Sequence, residues 1–161
     1  MGWYWNDAGS NLSERGRATL DSSQQRGTYD SALSSLDRAA QIDPYNPWIF
    51  ANRGTLRRYR GETTEAQADF SRALTYDSGN HQALAGLGDL HYARREYAEA
   101  ARRYRGALQA DPSRSAYREY LVRSLFHAGQ VDQARQEFRL LSSSSPQYAA
   151  LRDLLAPPPR P

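Results

Sequence analysis

Alanine recurs along the chain at Ala32, Ala66, Ala100 and Ala134, and four residues after each comes a large apolar residue: Leu36, Phe70, Tyr104 and Phe138. Three further on stand Ala39, Ala73, Ala107 and Leu141, and five beyond those Pro44, Ser78, Pro112 and Pro146. Spacings of four and three place these side chains on one face of an α-helix. The set returns at an interval of about 34 residues, so the chain must repeat one small supersecondary unit whose apolar face is covered by its neighbours. That requirement removes most folds at once.

Just before each helical face stands a residue suited to ending an earlier helix. Gly27, Gly61 and Gly129 occupy that place, where a left-handed residue closes a helix, and Arg95 occupies it in the third unit. Each unit therefore reads as helix A, a short turn and helix B, with Arg95 requiring a non-glycine left-handed residue or a different turn. Asp43, Asp111 and Ser145 precede prolines, and the residue before a proline is pushed out of the helical region, so helix B stops there. Gly54 and Gly88 fall on helix A where it should come closest to Ala66 and Ala100; larger residues there would overpack by about 1–3 kcal/mol. Leu20 and Val122 hold this place in the first and fourth units.

The third unit, HQALAGLGDLHYARREYAEAARRYRGALQADPSR, carries Leu84, Leu87, Gly88, Tyr97, Ala100, Tyr104, Ala107 and Pro112 in the pattern of the tetratricopeptide repeat. The chain resembles that family over most of its length. The resemblance implies an all-α, right-handed solenoid of about four repeats, framed at 13–46, 47–80, 81–114 and 115–148. Residues 1–12 form an aromatic segment and the start of the first helix. After Pro146, Tyr148, Leu151, Leu154 and Leu155 lie at helical spacing, which predicts a capping helix over 149–156. The tail 157–161, PPPRP, is expected to be extended polyproline II.

Composition fits this reading. Hydrophobic residues make up 39% and charged residues 24%, with a mean hydropathy of -0.83, as in a polar helical protein. No run approaches the roughly 18 apolar residues of a membrane span, and no signal peptide is evident at the start. There is no cysteine, which excludes disulfide and thiolate chemistry. All 21 basic residues are arginine, and the net charge is +3, well short of a nucleic-acid footprint. A cytoplasmic location is favoured; a periplasmic or membrane-tethered one follows only if an N-terminal segment with an anchor has been removed.

In tetratricopeptide arrays the A helices line a concave groove that receives a peptide or helix, so the resemblance implies a non-enzymatic interaction scaffold with a protein or peptide partner and no cofactor. Its inward positions fall here on Arg17, Asp21 and Gln24, then Trp48, Asn52, Thr55 and Tyr59. The third unit adds Gln82, Asp89 and Tyr92, and the fourth adds Glu119, Tyr120, Arg123 and His127. Trp48, Tyr59 and Tyr120 are favoured contacts, since aromatics and arginine dominate interface energetics; Trp48 equally suits packing on the preceding repeat. A subset of the family clamps a C-terminal carboxylate with asparagines and basic residues. Arg17 and Asn52 match its pattern, but Asp21 replaces an asparagine, Gln82 a lysine and Gly86 an arginine, so a chaperone-tail clamp is rejected.

Two rival readings use other residues. Arg57, Arg58 and Arg60 form an arginine cluster with few acids near in sequence, and with Arg94 and Arg95 they are the candidates for an anion or nucleic acid. Arg102 to Arg105 repeats the RRYR motif, yet Tyr104 belongs to the core and Glu99 precedes Arg103 by four, as in a helical ion pair. Trp3, Tyr4 and Trp5 could cap the first repeat, enter a partner or a second copy of the chain as a homo-oligomer, or mark a boundary. His81, His91 and His127 have no metal-ligand spacing, and Asp89 and His91 point apart on a helix. No catalytic residue and no metal site is assigned.

Overall fold

The computed structural model describes residues 22–144 and 147–156, with side chains from Gly27 onward. The described residues form eight α-helices: α1 Ser22–Ile42, α2 Pro47–Tyr59, α3 Thr63–Tyr76, α4 His81–Ala93, α5 Tyr97–Ala110, α6 Ser115–His127, α7 Val131–Arg139 and α8 Tyr148–Leu154. They pack in sequence as helix-turn-helix pairs, α2 with α3, α4 with α5 and α6 with α7, and each pair leans on the next.

Local chemistry sets the boundaries. The side chain of Asn46 accepts a hydrogen bond from the backbone N–H of Trp48 at 3.1 Å, and Pro47 occupies the first turn of α2, where no N–H is needed. Asn80 repeats the cap, accepting from the N–H of Ala83 at 2.9 Å. α1 and α5 end at Ile42 and Ala110, one residue before Asp43 and Asp111, as their following prolines require. The turns between paired helices are closed by Gly61, Arg95 and Gly129 at φ 81°, 61° and 77°. Arg95 is therefore the non-glycine left-handed residue that its place in the third unit demanded.

The first unit differs from expectation. Gly27 does not end a helix; it lies inside the continuous α1 and has no positive φ. Among the described residues nothing stands within 4 Å of the position its β-carbon would take. The fourth unit also departs: α7 ends at Arg139 rather than beside Pro146, and Leu141 turns inward and is buried. The capping helix α8 begins at Tyr148, one residue before the expected start, and buries Leu151 and Leu155 against the α5–α7 core.

Two apolar clusters follow from the repeated faces. Phe50, Ala66, Phe70, Ala73, Leu87 and Leu90 form one between α2 and α4, and Ala100, Tyr104, Leu121, Leu125, Ala134 and Leu151 the other toward the C-terminus. The glycines serve the aromatic of helix B more than its alanine. A β-carbon on Gly88 would stand 3.0 Å from the ring of Tyr104, and one on Gly54 would meet the ring of Phe70 at 2.8 Å and the carbonyl of Ala66 at 3.1 Å.

Candidate peptide groove

The A helices α2, α4 and α6 present one stripe each, at intervals of four, three and four residues. On α2 it runs through Trp48, Asn52, Thr55 and Tyr59; on α4 through Gln82, Gly86, Asp89 and Ala93; on α6 through Ala116, Tyr120, Arg123 and His127. Large side chains on the outer helices thus flank a central helix whose Gly86 is buried against the ring of Phe70. Trp48 is 37% exposed and Tyr120 45%.

The polar floor is tied across helices. The amide nitrogen Nε2 of Gln82 donates to Oδ1 of Asn52 at 2.8 Å and to Oγ1 of Thr55 at 3.1 Å, joining α4 to α2. Trp48 meets His81 of the following repeat edge-on at a 5.2 Å ring separation. His81 in turn shares a hydrogen bond between its Nδ1 and the hydroxyl of Tyr117 on α6, 2.7 Å apart. Burial first, and then the charge of Arg114, hold the His81 imidazole below its ordinary pKa, which favours the neutral form.

Asp89 anchors the centre. It accepts the hydroxyl of Tyr104 at 2.5 Å and pairs with Arg58 at 3.2 Å, while the Arg58 guanidinium lies 4.6 Å above the ring of Tyr59. Tyr120 stacks on Tyr104 at 5.3 Å. Burial raises the Asp89 carboxyl, and Arg58 and the Tyr104 hydroxyl pull it back down. Burial and the adjacent Asp89 together push the Tyr104 phenol far above its ordinary value, so it stays a donor. At the far end Tyr92, Tyr97 and His127 form a ring cluster, with Tyr97 and His127 stacked at 5.0 Å. Arg123 donates to the side-chain carbonyl of Gln147 at 2.6 Å.

The arginine cluster of α2 is corrected by the tertiary structure. Arg57 pairs with Asp69 at 2.8 Å, Arg58 with Asp89, and Arg60 with Asp30 at 2.6 Å and Glu62 at 2.9 Å. Acids distant in sequence neutralise all three, and Arg94 binds the neutral side chain of Gln67. Glu119, placed toward the groove by sequence, is buried. His91 pairs with Glu96, apart from Asp89. Arg17, Asp21, Trp3, Tyr4 and Trp5 lie outside the described residues, as does the side chain of Gln24. Among the described residues no cluster of His, Cys, Asp and Glu is arranged to hold a metal ion, and no helix is long and apolar enough to cross a membrane.

Sequence reasoning missed the ion network beneath the groove. Asp69 is 3% exposed and receives Arg53 through Nε at 3.0 Å and Nη2 at 2.6 Å, with Arg57 as a third donor; Arg53 also reaches Asp37 of α1 at 2.8 Å. The signal that could have found it is an offset of 16 residues, which separates Arg53 from both Asp37 and Asp69. The same offset relates Gly54 to Phe70 and Gly88 to Tyr104.

Stacked helical hairpins with a polar and aromatic face along alternate helices define a helical-repeat scaffold. Two sequence-family profiles, both described as tetratricopeptide repeat, match residues 52–113 and 92–156, and the chain belongs to the tetratricopeptide repeat family. Domains of this family are generally protein- or peptide-binding modules and are typically non-catalytic. The fold is similar to that of pilF of Pseudomonas aeruginosa, at 27% identity and a TM-score of 0.72, covering 93% of this chain and 68% of that one. It is also similar to YrrB, described as having an unusual peptide-binding site, at 20% identity and a TM-score of 0.71, covering 76% of this chain and 63% of that one. The first tetratricopeptide domain of Spaghetti (RPAP3), bound to the HSP90 peptide SRMEEVD, aligns at 20% identity and a TM-score of 0.58, over 76% of this chain and 89% of that one. This chain thus spans less than two thirds of the length of YrrB. No curated protein matches the sequence significantly.

Proposed function

We propose that the chain is a non-enzymatic scaffold that receives a peptide or helix in the groove formed by α2, α4 and α6. The observation that carries this reading is the pair of large stripes, Trp48 to Tyr59 on α2 and Tyr120 to His127 on α6, with Trp48 and Tyr120 exposed on either side of α4. Trp48, Asn52, Tyr59, Tyr120 and Arg123 are the contacts. Exposed aromatics already braced by neighbouring rings lose little side-chain entropy when a ligand arrives, which favours affinity.

A library of random peptides displayed on phage provides the test. Binders selected on the native chain are expected to lose affinity for a Tyr59→Ala, Tyr120→Ala double variant by about tenfold or more, the scale of interface aromatics. Unchanged binding to that variant would place the ligand elsewhere and defeat the reading.

A further inference from the structure

Among the residues of the three groove stripes, the one arginine is Arg123, and the acids near the groove are matched to other arginines. Arg58 is balanced by Asp89, Arg60 by Asp30 and Glu62, Arg53 and Arg57 share Asp69 with Asp37, and on the other side of α6 Arg118 pairs with Glu137 at 3.5 Å. Arg123 has no ion-pair partner among the described residues; its hydrogen bond goes to the neutral amide of Gln147. Glu119 lies one turn before it but is only 8% exposed.

The surroundings of Arg123 are aromatic. Tyr120 and His127 stand on the same stripe of α6, and Tyr92 reaches from α4 to a 5.9 Å ring contact with His127. The Tyr92 phenol is raised by burial and by Tyr97, and the charge of Arg123 opposes that shift. A guanidinium has five N–H donors in a planar fork, and one bond to Gln147 leaves donors for a planar acceptor.

Resting on the peptide-groove reading, we infer that the ligand is an acidic peptide, with an internal Asp or Glu side chain seated on Arg123 and an adjacent apolar or aromatic residue against Tyr120 and Tyr92. Charge complementarity selects the carboxylate: an acid placed here gains a charge-assisted, two-pronged contact with the one arginine that stands on the groove stripes of α2, α4 and α6. The anchor is a side chain and not a chain terminus. Gln82 and Gly86 supply no cation of a terminal clamp, and Arg123 lies a repeat further on.

Peptides fused to phage through their C-termini have no free terminal carboxylate, so any acidic preference must come from side chains. Selection on the native chain is expected to enrich Asp or Glu beside an apolar residue. Selection on Arg123→Gln should still yield groove binders but without acidic enrichment, and peptides from the first selection should bind that variant about tenfold or more weakly. Gln147→Ala removes the same hydrogen bond while keeping the cation, and should retain the preference. Enrichment with no acidic bias on the native chain overturns the inference and leaves the groove intact. An acidic bias that survives in Arg123→Gln, or vanishes in Gln147→Ala, also overturns it, the latter by reducing Arg123 to a support for α8. No enrichment of any peptide defeats the groove reading itself, and the inference with it.

Discussion

The ring of Phe70 fills the space where Gly86 lacks a side chain. A β-carbon on Gly86 would come within 2.5 and 2.6 Å of Cε1 and Cε2 of that ring, which is fully buried between α2 and α4. Gly86 is the position at which a terminal-carboxylate clamp would carry arginine, so the packing of one aromatic on the next repeat removes one cation of that clamp.

Gly86→Ala is expected to destabilise the chain by about 1–3 kcal/mol through overpacking, because the backing ring has no free volume to retreat into. Gly27→Ala should do the reverse. Gly27 lies in a helix with no described residue within 4 Å of its β position, so alanine gains about 0.5–1 kcal/mol of helix propensity. Chemical denaturation of the two variants checks the opposite signs.

Arg95 sits in the left-handed region at φ 61°, where Gly61 and Gly129 close the equivalent turns. An L-residue there costs about 1 kcal/mol relative to glycine, so Arg95→Gly should raise stability by about that amount and Gly129→Ala lower it. Paired thermal melts would expose a failure.

Asp69 is buried and bonded to both Arg53 and Arg57. Asp69→Asn leaves Arg57 without a carboxylate and Arg53 with Asp37 alone, and a broken buried pair costs about 3–5 kcal/mol. The expected loss in urea denaturation is about 3 kcal/mol or more. A loss near that of an exposed pair would show that Asp37 alone suffices.

His81 has a folded pKa below its ordinary 6.5, chiefly through burial. The unfolded imidazole takes up a proton as pH falls through that ordinary value while the folded one resists, so stability drops over this range and levels off once pH is below the folded pKa. At higher pH both states are neutral and the group contributes nothing by this route. His81→Gln should flatten the decline in stability between neutral and mildly acidic pH. An equal decline in the variant would assign it to other groups.

How much could be read in advance follows from what each residue depends on. Ala66, Phe70, Ala73 and their counterparts lie within one helix, where a 3.6-residue period alone places them on a common face, and Asn80 caps α4 through bonds reaching only three residues. The turn residues Gly61, Arg95 and Gly129 are likewise local. Gly27 misled because a glycine permits a left-handed turn without imposing one. The Arg57, Arg58 and Arg60 cluster looked unbalanced because Asp69, Asp89 and Asp30 lie 12 to 31 residues away and approach only when the hairpins stack.

The sequence by itself determined the repeat, the helix-turn-helix unit and the stripe of side chains each A helix offers, since all three follow from periodicity and backbone preference within about 34 residues. Tertiary structure decided which charges of the groove survive and which rings are free. Coulomb pairing and ring packing depend on distance in space, so Arg58 is spent on Asp89 and Tyr104 on the core, while Arg123 remains without an acid and Tyr120 remains 45% exposed above it.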